Sequence, residues 1–481
     1  MTIHPASPLL FDFFDPLPIV IESSNAPLTS DAGLLPLRQF DDRIGLTAQF
    51  AAALHDPRDP QLAEHSFLEM VRMRLFGILA DYEDQNDHDA LRTDPVFKLI
   101  AGRSPNDADL ASQPTLSRFE NAIDCTSLKR LRDVFLDQFI ASFAQPPLRL
   151  TFDIDAVDDP AHGAQQLVLF HAYFDQYQYF PLLITCADND QVVMVSLRHG
   201  TAHAALGADD DLEYLTARLR QVWPDVHIHV RGDAGYGVPW MYEVCERLGI
   251  EYTFGLSANV VLQRETEDVL ALAVQRFEQT GQPQRLFSGF WYQAGTWERP
   301  RWVIAKAEAH GRGTNRRFIV SNRPGARVWI EPTYDDYAMR GESENRNKEL
   351  KRDLAMDRLS DHRFCANYFR LYLHAAALNL LVRLRREIAD PPPVPAESVP
   401  AEAMAGAERQ AYQQRRRQRD PLGEGQPWTW RTLLIKVAAS VVVSTRRVLV
   451  LLSGSWPHVE YYRQVSEHVR SRPAVGHVGS G

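Results

Sequence analysis

The apolar pattern of this chain changes character at Pro147, and that change limits the folds it can adopt. Before it, over residues 46–143, apolar residues recur at helical spacing, and Pro57, Pro95 and Pro105 interrupt the pattern. After it come short runs rich in β-branched and aromatic residues, which predict strands. Those runs are 148–155, 167–174, 181–186 and 192–197. The sequence therefore predicts an all-helical region that leads into a sheet.

Strands and helices alternate after those four runs. We expect a helix over 211–223, a strand over 226–230, a helix over 238–248 and a strand over 251–256. Alternation of this kind is typical of an α/β sheet. Antiparallel strands followed by βαβα units are the order of a ribonuclease-H-like core, and we predict that fold class.

The next stretch, 257–326, interrupts the alternation. It contains one predicted helix at 266–279 and three β-like runs, at 286–292, 301–307 and 317–320. We interpret it as an inserted β-rich element. Two long helical segments, 334–356 and 364–388, are predicted to follow it and return to the core.

The C-terminal part is set off by a proline-rich stretch, 390–400, which is typical of a semi-rigid exposed linker. Beyond it, β-branched residues over 432–452 flank the basic tetrapeptide Ser444–Arg447. That pattern favours a β-ribbon with a basic tip, and a helix is the alternative.

Charge is the strongest compositional argument against a nucleic-acid partner. The formal net charge is −10, whereas nucleic-acid binding normally shows a basic footprint. The charge is uneven, however, because acids crowd residues 81–94 and arginines cluster late in the chain. The later part is therefore predicted to be able to bind phosphate.

The four cysteines are scattered, with no pair at CxxC spacing, which argues against a disulfide framework and against a zinc site. The longest apolar run, Val437–Val443, is too short to cross a bilayer, and the start of the chain does not resemble a secretory signal. We expect a protein of the reducing cytoplasm with no membrane partner.

Several carboxylates stand where a metal ion could reach them. Asp153 and Asp155 alternate on an apolar strand and so share one face, and Asp155 ends the run near a turn. Asp233 follows a strand between glycines that allow close approach of a ligand. Hard divalent ions that catalyse phosphoryl transfer need oxygen ligands converging from separate elements. We rank Asp155 above Asp153; a loop or helix-capping role is the alternative for Asp233.

A third carboxylate lies on the helical segment that begins near Tyr334. At about 100° per residue, one helix face carries an aromatic ring, a carboxylate and three cations. They are Tyr337, Arg340, Glu344, Lys348 and Lys351. A solvated face with ion pairs one turn apart is the ordinary explanation of such a pattern.

The same segment resembles a known signature. Its residues match the Tyr-Arg-Glu-Lys signature of bacterial insertion-sequence transposases both in type and in spacing. They are Tyr337, Arg340, Glu344 and Lys351, with two, three and six residues between them. The chain is similar to the thirteen-eighty insertion-sequence family at further places. These are 82–88, 113–119, 155–163 and 231–233, where Arg-Gly-Asp stands in place of an expected Arg-Ala-Asp.

The resemblance implies a DDE transposase that binds metal through Asp155, Asp233 and Glu344. It implies two Mg²⁺ ions, with Mn²⁺ as a substitute. Tyr337 and Lys351 would contact phosphates of the transposon end, and Arg340 would support the site. We expect Lys348 to help neutralise phosphate charge, and Asp153 to act as the alternative first acid.

The resemblance and the changes in apolar pattern along the chain together predict six segments. They are a helical N-terminal DNA-binding region (1–145), the first part of the ribonuclease-H-like core (146–256), an inserted β-rich domain (257–328), the second part of the core with the third acid (329–389), a linker (390–427) and a C-terminal basic region (428–481).

The expected partner is double-stranded DNA, both the inverted-repeat ends of the element and the target, bound by a homodimer. Two basic groups are predicted to share the recognition of the ends. The first is Arg118, Lys129, Arg130 and Arg132; the second is Arg415, Arg416, Arg417, Arg446 and Arg447. We expect the bacterial nucleoid as the place of action.

Three tryptophans of the inserted stretch, Trp291, Trp297 and Trp302, could stack on a displaced base or pack in a core. Two other functions compete with transposition. A ribonuclease-H-like nuclease would use the same acids without joining strands, and a DNA-binding protein with an inert core would suit the net acidity.

Overall fold

The computed structural model describes residues 9–11, 19–21, 26–59, 61–389 and 426–471. Its helices are α1 Leu34–Ile44, α2 Leu46–Ala53, α3 Phe67–Leu79, α4 His88–Leu91, α5 Pro95–Ala101, α6 Gln113–Asn121, α7 Cys125–Ile140, α8 Ala208–Val222, α9 Pro239–Leu248, α10 Val260–Glu265, α11 Glu267–Thr280, α12 Ile330–Ala338, α13 Gly341–Lys348, α14 Phe364–Ala389, α15 Pro427–Trp430 and α16 Val459–Ser471.

Its strands are β1 Leu9–Phe11, β2 Ile19–Ile21, β3 Leu28–Thr29, β4 Arg149–Ala156, β5 Asp159–Pro160, β6 Leu169–His171, β7 Gln176–Tyr179, β8 Leu182–Cys186, β9 Val192–Ser196, β10 His227–Gly232, β11 Glu251–Leu256, β12 Gln284–Tyr292, β13 Arg301–His310, β14 Gly313–Ser321, β15 Ala439–Val443 and β16 Val448–Leu452. The chain is thus a mixed α/β protein.

One large mixed sheet has eight strands in the order β12-β13-β14-β11-β10-β4-β8-β9. Its centre, β11-β10-β4, is parallel; α9 connects β10 to β11, and α8 leads from β9 at the sheet edge into β10. The flanking pairs are antiparallel. The strands predicted for the inserted stretch do form, but they extend this same sheet through β14 and β11. The division of the chain into domains stays a prediction.

The two faces of the sheet centre differ in chemistry, because side chains alternate along each strand. Phe152, Ile154, Ile228 and Val230 are buried with apolar residues of α8 and α9. The intervening residues point to the opposite face. These are Asp153 and Asp155 on β4, His229 and Arg231 on β10, and Thr253 on β11. Helix α12 contributes the buried Asp336 to this second, polar layer.

Arg231 is the centre of the polar layer. Its guanidinium donates to both carboxylate oxygens of Asp153 (2.6 and 2.8 Å) and to the backbone carbonyl oxygen of Asp336 (2.6 Å). Arg323 donates to a carboxylate oxygen of Asp336 (2.6 Å). All four side chains are almost fully buried. Two cations therefore match two anions, and buried charges are tolerated only when they are paired in this way.

The helical region is built around α14. This helix is buried along most of its length, and Phe369, Leu373 and Leu380 are fully buried, as expected of a helix enclosed by others. Helices α1, α2, α3, α5, α6 and α7 contribute to the same apolar core. The predicted helix over 364–388 is therefore confirmed, and it packs both in the N-terminal helical core and against β9 of the sheet.

The predicted helix over 334–356 is not regular. Hydrogen bonds tighten to three-residue spacing around Arg340 and Ser343, and the helix widens to a π-type turn over 349–353. Tyr337, Glu344 and Lys351 thus lie on three different helical pieces. The continuous face expected from 100° spacing does not exist.

The C-terminal residues are part of the helical core. Trp430, Leu434 and Ile435 are buried in the same apolar cluster as α1 and α3. Strand β15 pairs with β3 and, as the predicted ribbon requires, with β16. Gly33 lies so close to the backbone of Leu434 that a Cβ there would meet its carbonyl oxygen at 1.7 Å, so only glycine fits. The described residues after the predicted linker thus pack on the N-terminal helices.

We predict that Trp430→Ala destabilises the protein by about 3–5 kcal/mol, because it empties a fully buried site. Urea unfolding followed by circular dichroism would measure the loss. Trp428→Ala is the matched control, since Trp428 is 63% exposed and should change stability by less than about 0.5 kcal/mol. Equal effects of the two changes would contradict the packing described here.

We predict that Arg231→Ala costs about 3–5 kcal/mol, because it leaves the buried Asp153 without its cation and removes one from Asp336. Arg247→Ala is the control. Arg247 pairs with Glu213 on the surface, where both side chains are more than half exposed and water screens their charges, so its loss should be far smaller than that of Arg231. A loss below 1 kcal/mol for Arg231→Ala in chemical unfolding would show that the polar layer is not a stability centre.

Candidate active site

Two carboxylates lie side by side where β4 and β10 approach their carboxyl ends. The parallel register pairs Asp153 with Arg231 and Ile154 with Gly232. Asp155 and Asp233 are the next residues along the two strands, on the polar face of the sheet. Neighbouring parallel strands therefore bring two acids separated by 78 residues in sequence to one edge.

The two aspartates of β4 have different partners. Asp153 is taken up by Arg231 in the buried layer. Asp155 accepts a hydrogen bond from Asn347 Nδ2 on α13 (2.9 Å) and one from the backbone N–H of Ala156 (3.0 Å). Asp155 therefore faces the helix that carries Glu344. No spacing in the sequence singled out Asn347.

Asp233 caps a single 3₁₀ turn at Ala234–Tyr236 and accepts a hydrogen bond from the backbone N–H of Gly235 (2.8 Å). Gly255 on β11 adjoins it. A Cβ at Gly255 would lie 2.8 Å from the Tyr337 hydroxyl and 3.0 Å from the carbonyl carbon of Asp233. The absent side chain is what lets the Tyr337 hydroxyl come close to Asp233.

Glu344 lies on α13 and is about half exposed. One of its carboxylate oxygens is 3.5 Å from Arg340 Nη2, so the two residues form an ion pair between positions four residues apart. Burial raises the pKa of Asp155 to about 6, Arg340 opposes that rise, and Asp233 and Glu344 add to it. The three predicted acids thus interact electrostatically around Asp155, with Arg340 among them.

Within the residues the structure describes, no group of three or more His, Cys, Asp and Glu side chains is arranged to hold a metal ion. The chemistry of the donors nevertheless suits a hard divalent cation, which prefers carboxylate oxygens. Like charges around Asp155 are what such a cation would neutralise.

The two predicted lysines differ in their surroundings. Lys351 lies in the π-type turn, where its Nζ is 2.8 Å from a carboxylate oxygen of Asp158 and donates to the backbone carbonyl oxygen of the same residue (3.0 Å). Lys348 is exposed on α13. Through these two contacts Lys351 holds the segment around Asp158, which follows β4.

The N-terminal basic group divides in two. Arg118, Lys129 and Arg130 are exposed. Arg132 instead places its guanidinium carbon 3.4 Å from the centre of the Tyr214 ring, which joins α7 to α8. Arg132 is therefore engaged in packing.

The C-terminal basic group is only partly described. Arg446 and Arg447 are exposed at the turn between β15 and β16. Arg415, Arg416 and Arg417 lie outside the described residues.

The three tryptophans of the inserted stretch also differ. Trp297 is buried in the core of the sheet. Trp302 is partly buried and donates its Nε1–H to the carbonyl oxygen of Ala326 (3.2 Å). Trp291 on β12 is 57% exposed. Core packing therefore accounts for Trp297, and Trp291 is the most accessible of the three.

Two of the scattered cysteines are neighbours in space. The sulfur atoms of Cys125 on α7 and Cys365 on α14 are 3.7 Å apart, and all four cysteines are free thiols. The lack of a CxxC spacing could not indicate this contact, because 240 residues separate the pair.

None of the described helices is both long enough and apolar enough to cross a membrane. No curated protein is similar enough to the chain to count as a relative. The family model described as Transposase DDE domain group 1 matches residues 14–394, which include all three predicted acids. The chain belongs to this family of DDE transposases.

Proposed function

We propose that the protein cuts DNA at the ends of an insertion sequence and joins the freed 3′-hydroxyl strand to target DNA. The observation that supports this most directly is the meeting of Asp155 and Asp233 at adjacent positions of parallel strands, with Glu344 close enough to affect the ionisation of Asp155. The family match gives the general class of the enzyme. The details, including the thirteen-eighty family and its Tyr-Arg-Glu-Lys signature, belong to this proposal.

Asp155, Asp233 and Glu344 would hold two Mg²⁺ ions, or Mn²⁺ in their place. Bound there, such ions activate water and stabilise in-line displacement at phosphorus. Glu344 must turn from Arg340 toward Asp155 to share a metal with the two aspartates. Its exposed position on α13 leaves it free of the packing that fixes Asp155.

The cations around the acids have distinct tasks in this proposal. Arg340 offsets part of the repulsion among the carboxylates before metal binds, since it acts on the charge of Asp155. Lys351 and the Tyr337 hydroxyl would contact backbone phosphates, and Lys348 would add positive charge from the exposed side of α13. Lys351 would exchange its bond to Asp158 for a phosphate oxygen.

End recognition is proposed to use two basic surfaces. Arg118, Lys129 and Arg130 form the first, and the hairpin tip with Arg446 and Arg447 belongs to the second. The remaining acidic surface would face solvent or a second protomer of a homodimer. A ribonuclease-H-like core that uses the sheet centre, extended by the strands β12 to β14, completes the proposal.

We predict that Asp155→Asn stabilises the metal-free protein by about 1–3 kcal/mol at neutral pH, because the folded state raises the pKa of this carboxyl to about 6. An acid with a raised pKa opposes folding once it ionises. The penalty therefore appears as the pH rises from about 4 to 6 and is constant above that range.

Thermal unfolding in the presence of a chelator, at a series of pH values, would measure this gain. The variant and the wild type should converge at acid pH. A wild-type protein that is more stable than Asp155→Asn at neutral pH would contradict the assigned surroundings of Asp155.

We predict that Asp233→Ala and Glu344→Ala abolish metal-dependent cleavage of DNA ends and leave DNA binding largely intact, because these residues hold metal and do not recognise sequence. Cleavage and joining would be followed on DNA taken from the flanks of the coding region. Binding would be measured by anisotropy of the same labelled DNA.

Glu342→Gln is the matched control, since Glu342 is on the same helix but bonds to Asn345. Normal cleavage by the Glu344 variant would refute the proposed mechanism. Cleavage without joining by the wild type would favour a nuclease, and DNA binding without cleavage would favour the inert binding protein.

A further inference from the structure

We propose that Trp240 and His203 form a surface, beside Asp233, on which an unpaired base of the DNA strand stacks. The inference rests on the proposed function, because it assigns a binding role at the edge of that same site. Trp240 is 41% exposed although tryptophan carries a large apolar surface. Its ring centre is 5.6 Å from that of the exposed His203, and the angle between the two ring planes is 62°, an edge-to-face arrangement.

The position of the pair follows from the elements that carry it. Trp240 is the second residue of α9, and two residues separate α9 from the 3₁₀ turn capped by Asp233. His203 belongs to the loop after β9, and the next residue, Ala204, packs against that turn. A Cβ at Gly235 would lie 2.8 Å from the Ala204 Cβ and 3.0 Å from Asp233 Oδ1. Two separate chain segments thus bring the rings to the turn that carries Asp233.

The loop of His203 is held rigidly. The buried Arg198 donates through Nη1 to the backbone carbonyl oxygens of His203 (3.2 Å), Ala204 (2.7 Å) and Leu206 (2.9 Å). Its Nε–H donates to the carbonyl oxygen of Phe180 (2.8 Å). One guanidinium therefore fixes three carbonyl groups of this loop, so the ring of His203 projects from a preformed support.

The imidazole itself is oriented. His203 Nδ1 accepts a hydrogen bond from the backbone N–H of Ala205 (3.1 Å). A ring nitrogen that accepts in this way places the proton of the neutral imidazole on Nε2. The pair thus offers an aromatic face on Trp240 and a hydrogen-bond donor on His203, which suit a nucleobase and its neighbouring phosphate.

An unpaired base suits this surface better than duplex DNA does. Single-stranded nucleic acid is bound by stacking on exposed aromatic rings, and every base has a face that can stack. Inside a duplex both faces of a base are covered by its stacked neighbours, and the proposed strand cutting and joining would expose strand ends next to the acids. Among the aromatic residues near Asp233, Tyr236 is buried, whereas Trp240 can be reached from solvent.

The test measures binding of the full chain in a chelator, so that cleavage cannot interfere. The probes are a short blunt duplex and the same duplex with a single-stranded 3′ extension that carries the fluorescent base analogue aminopurine. The wild type should prefer the extended duplex and quench the aminopurine. Trp240→Ala should lose about tenfold of affinity for the extended duplex and most of the quenching, with unchanged affinity for the blunt one.

Trp240→Phe should retain most of the preference, because phenylalanine keeps an aromatic face, and it guards against loss through misfolding. Trp428→Ala removes an exposed tryptophan elsewhere and should have no effect. An unchanged preference in Trp240→Ala would overturn the inference while leaving the proposed function standing. Equal loss on both DNAs, or a change in oligomeric state, would overturn it in favour of a phosphate contact or a protein interface. Failure of the wild type to bind either DNA would refute the proposed function itself.

Discussion

The pairing of Arg231 with Asp153 is the interaction on which the candidate site depends. It joins β4 to β10 on the face that carries Asp155 and Asp233, and a third bond from the same guanidinium reaches the backbone of α12 at Asp336. Helix α12 ends with the residue after Tyr337. A single buried cation thus sets the relative positions of two strands and of the helix that leads to Glu344. Breaking it would shift several groups of the proposed site together.

The sequence predicted most strands and helices of the large sheet well, because their periodicity is strong and their ends carry turn residues. The predicted strand over 167–174 was wrong, because that stretch holds the short strand β6 and a turn into β7, and both belong to a separate small sheet. The predicted strand over 251–256 has the same bounds as β11. The sequence also ranked Asp155 above Asp153, a ranking that stays a prediction, and the structure adds that Arg231 pairs with Asp153. That pairing could not be predicted from the spacing of residues in the sequence, because it depends on the register between β4 and β10 and joins residues 78 positions apart.

Other features were beyond the reach of sequence patterns for physical reasons. The irregular helix between Tyr334 and Met356 has ordinary helical spacing, and only tertiary contacts reveal its tightened and widened turns. The contribution of Asn347 and the close approach at Gly255 arise from long-range packing. The proline-rich stretch suggested an independent C-terminal region. The structure shows that Trp430 and the apolar side chains of β15 pack in the same core as the N-terminal helices, and that β15 pairs with β3.

The pairing of β15 with β3 has a consequence for the order of folding. Strand β3 ends at Thr29 and β15 begins at Ala439, so the segment that completes the packing of the first helices is synthesised long after them. Translation of the roughly 400 residues between them takes roughly 20 to 80 s at about 5–20 residues per second. During that time the helices that receive Trp430 present an unfilled apolar surface. A nascent chain therefore holds the sheet that carries Asp155 and Asp233 beside an incomplete helical core until β15 has been synthesised.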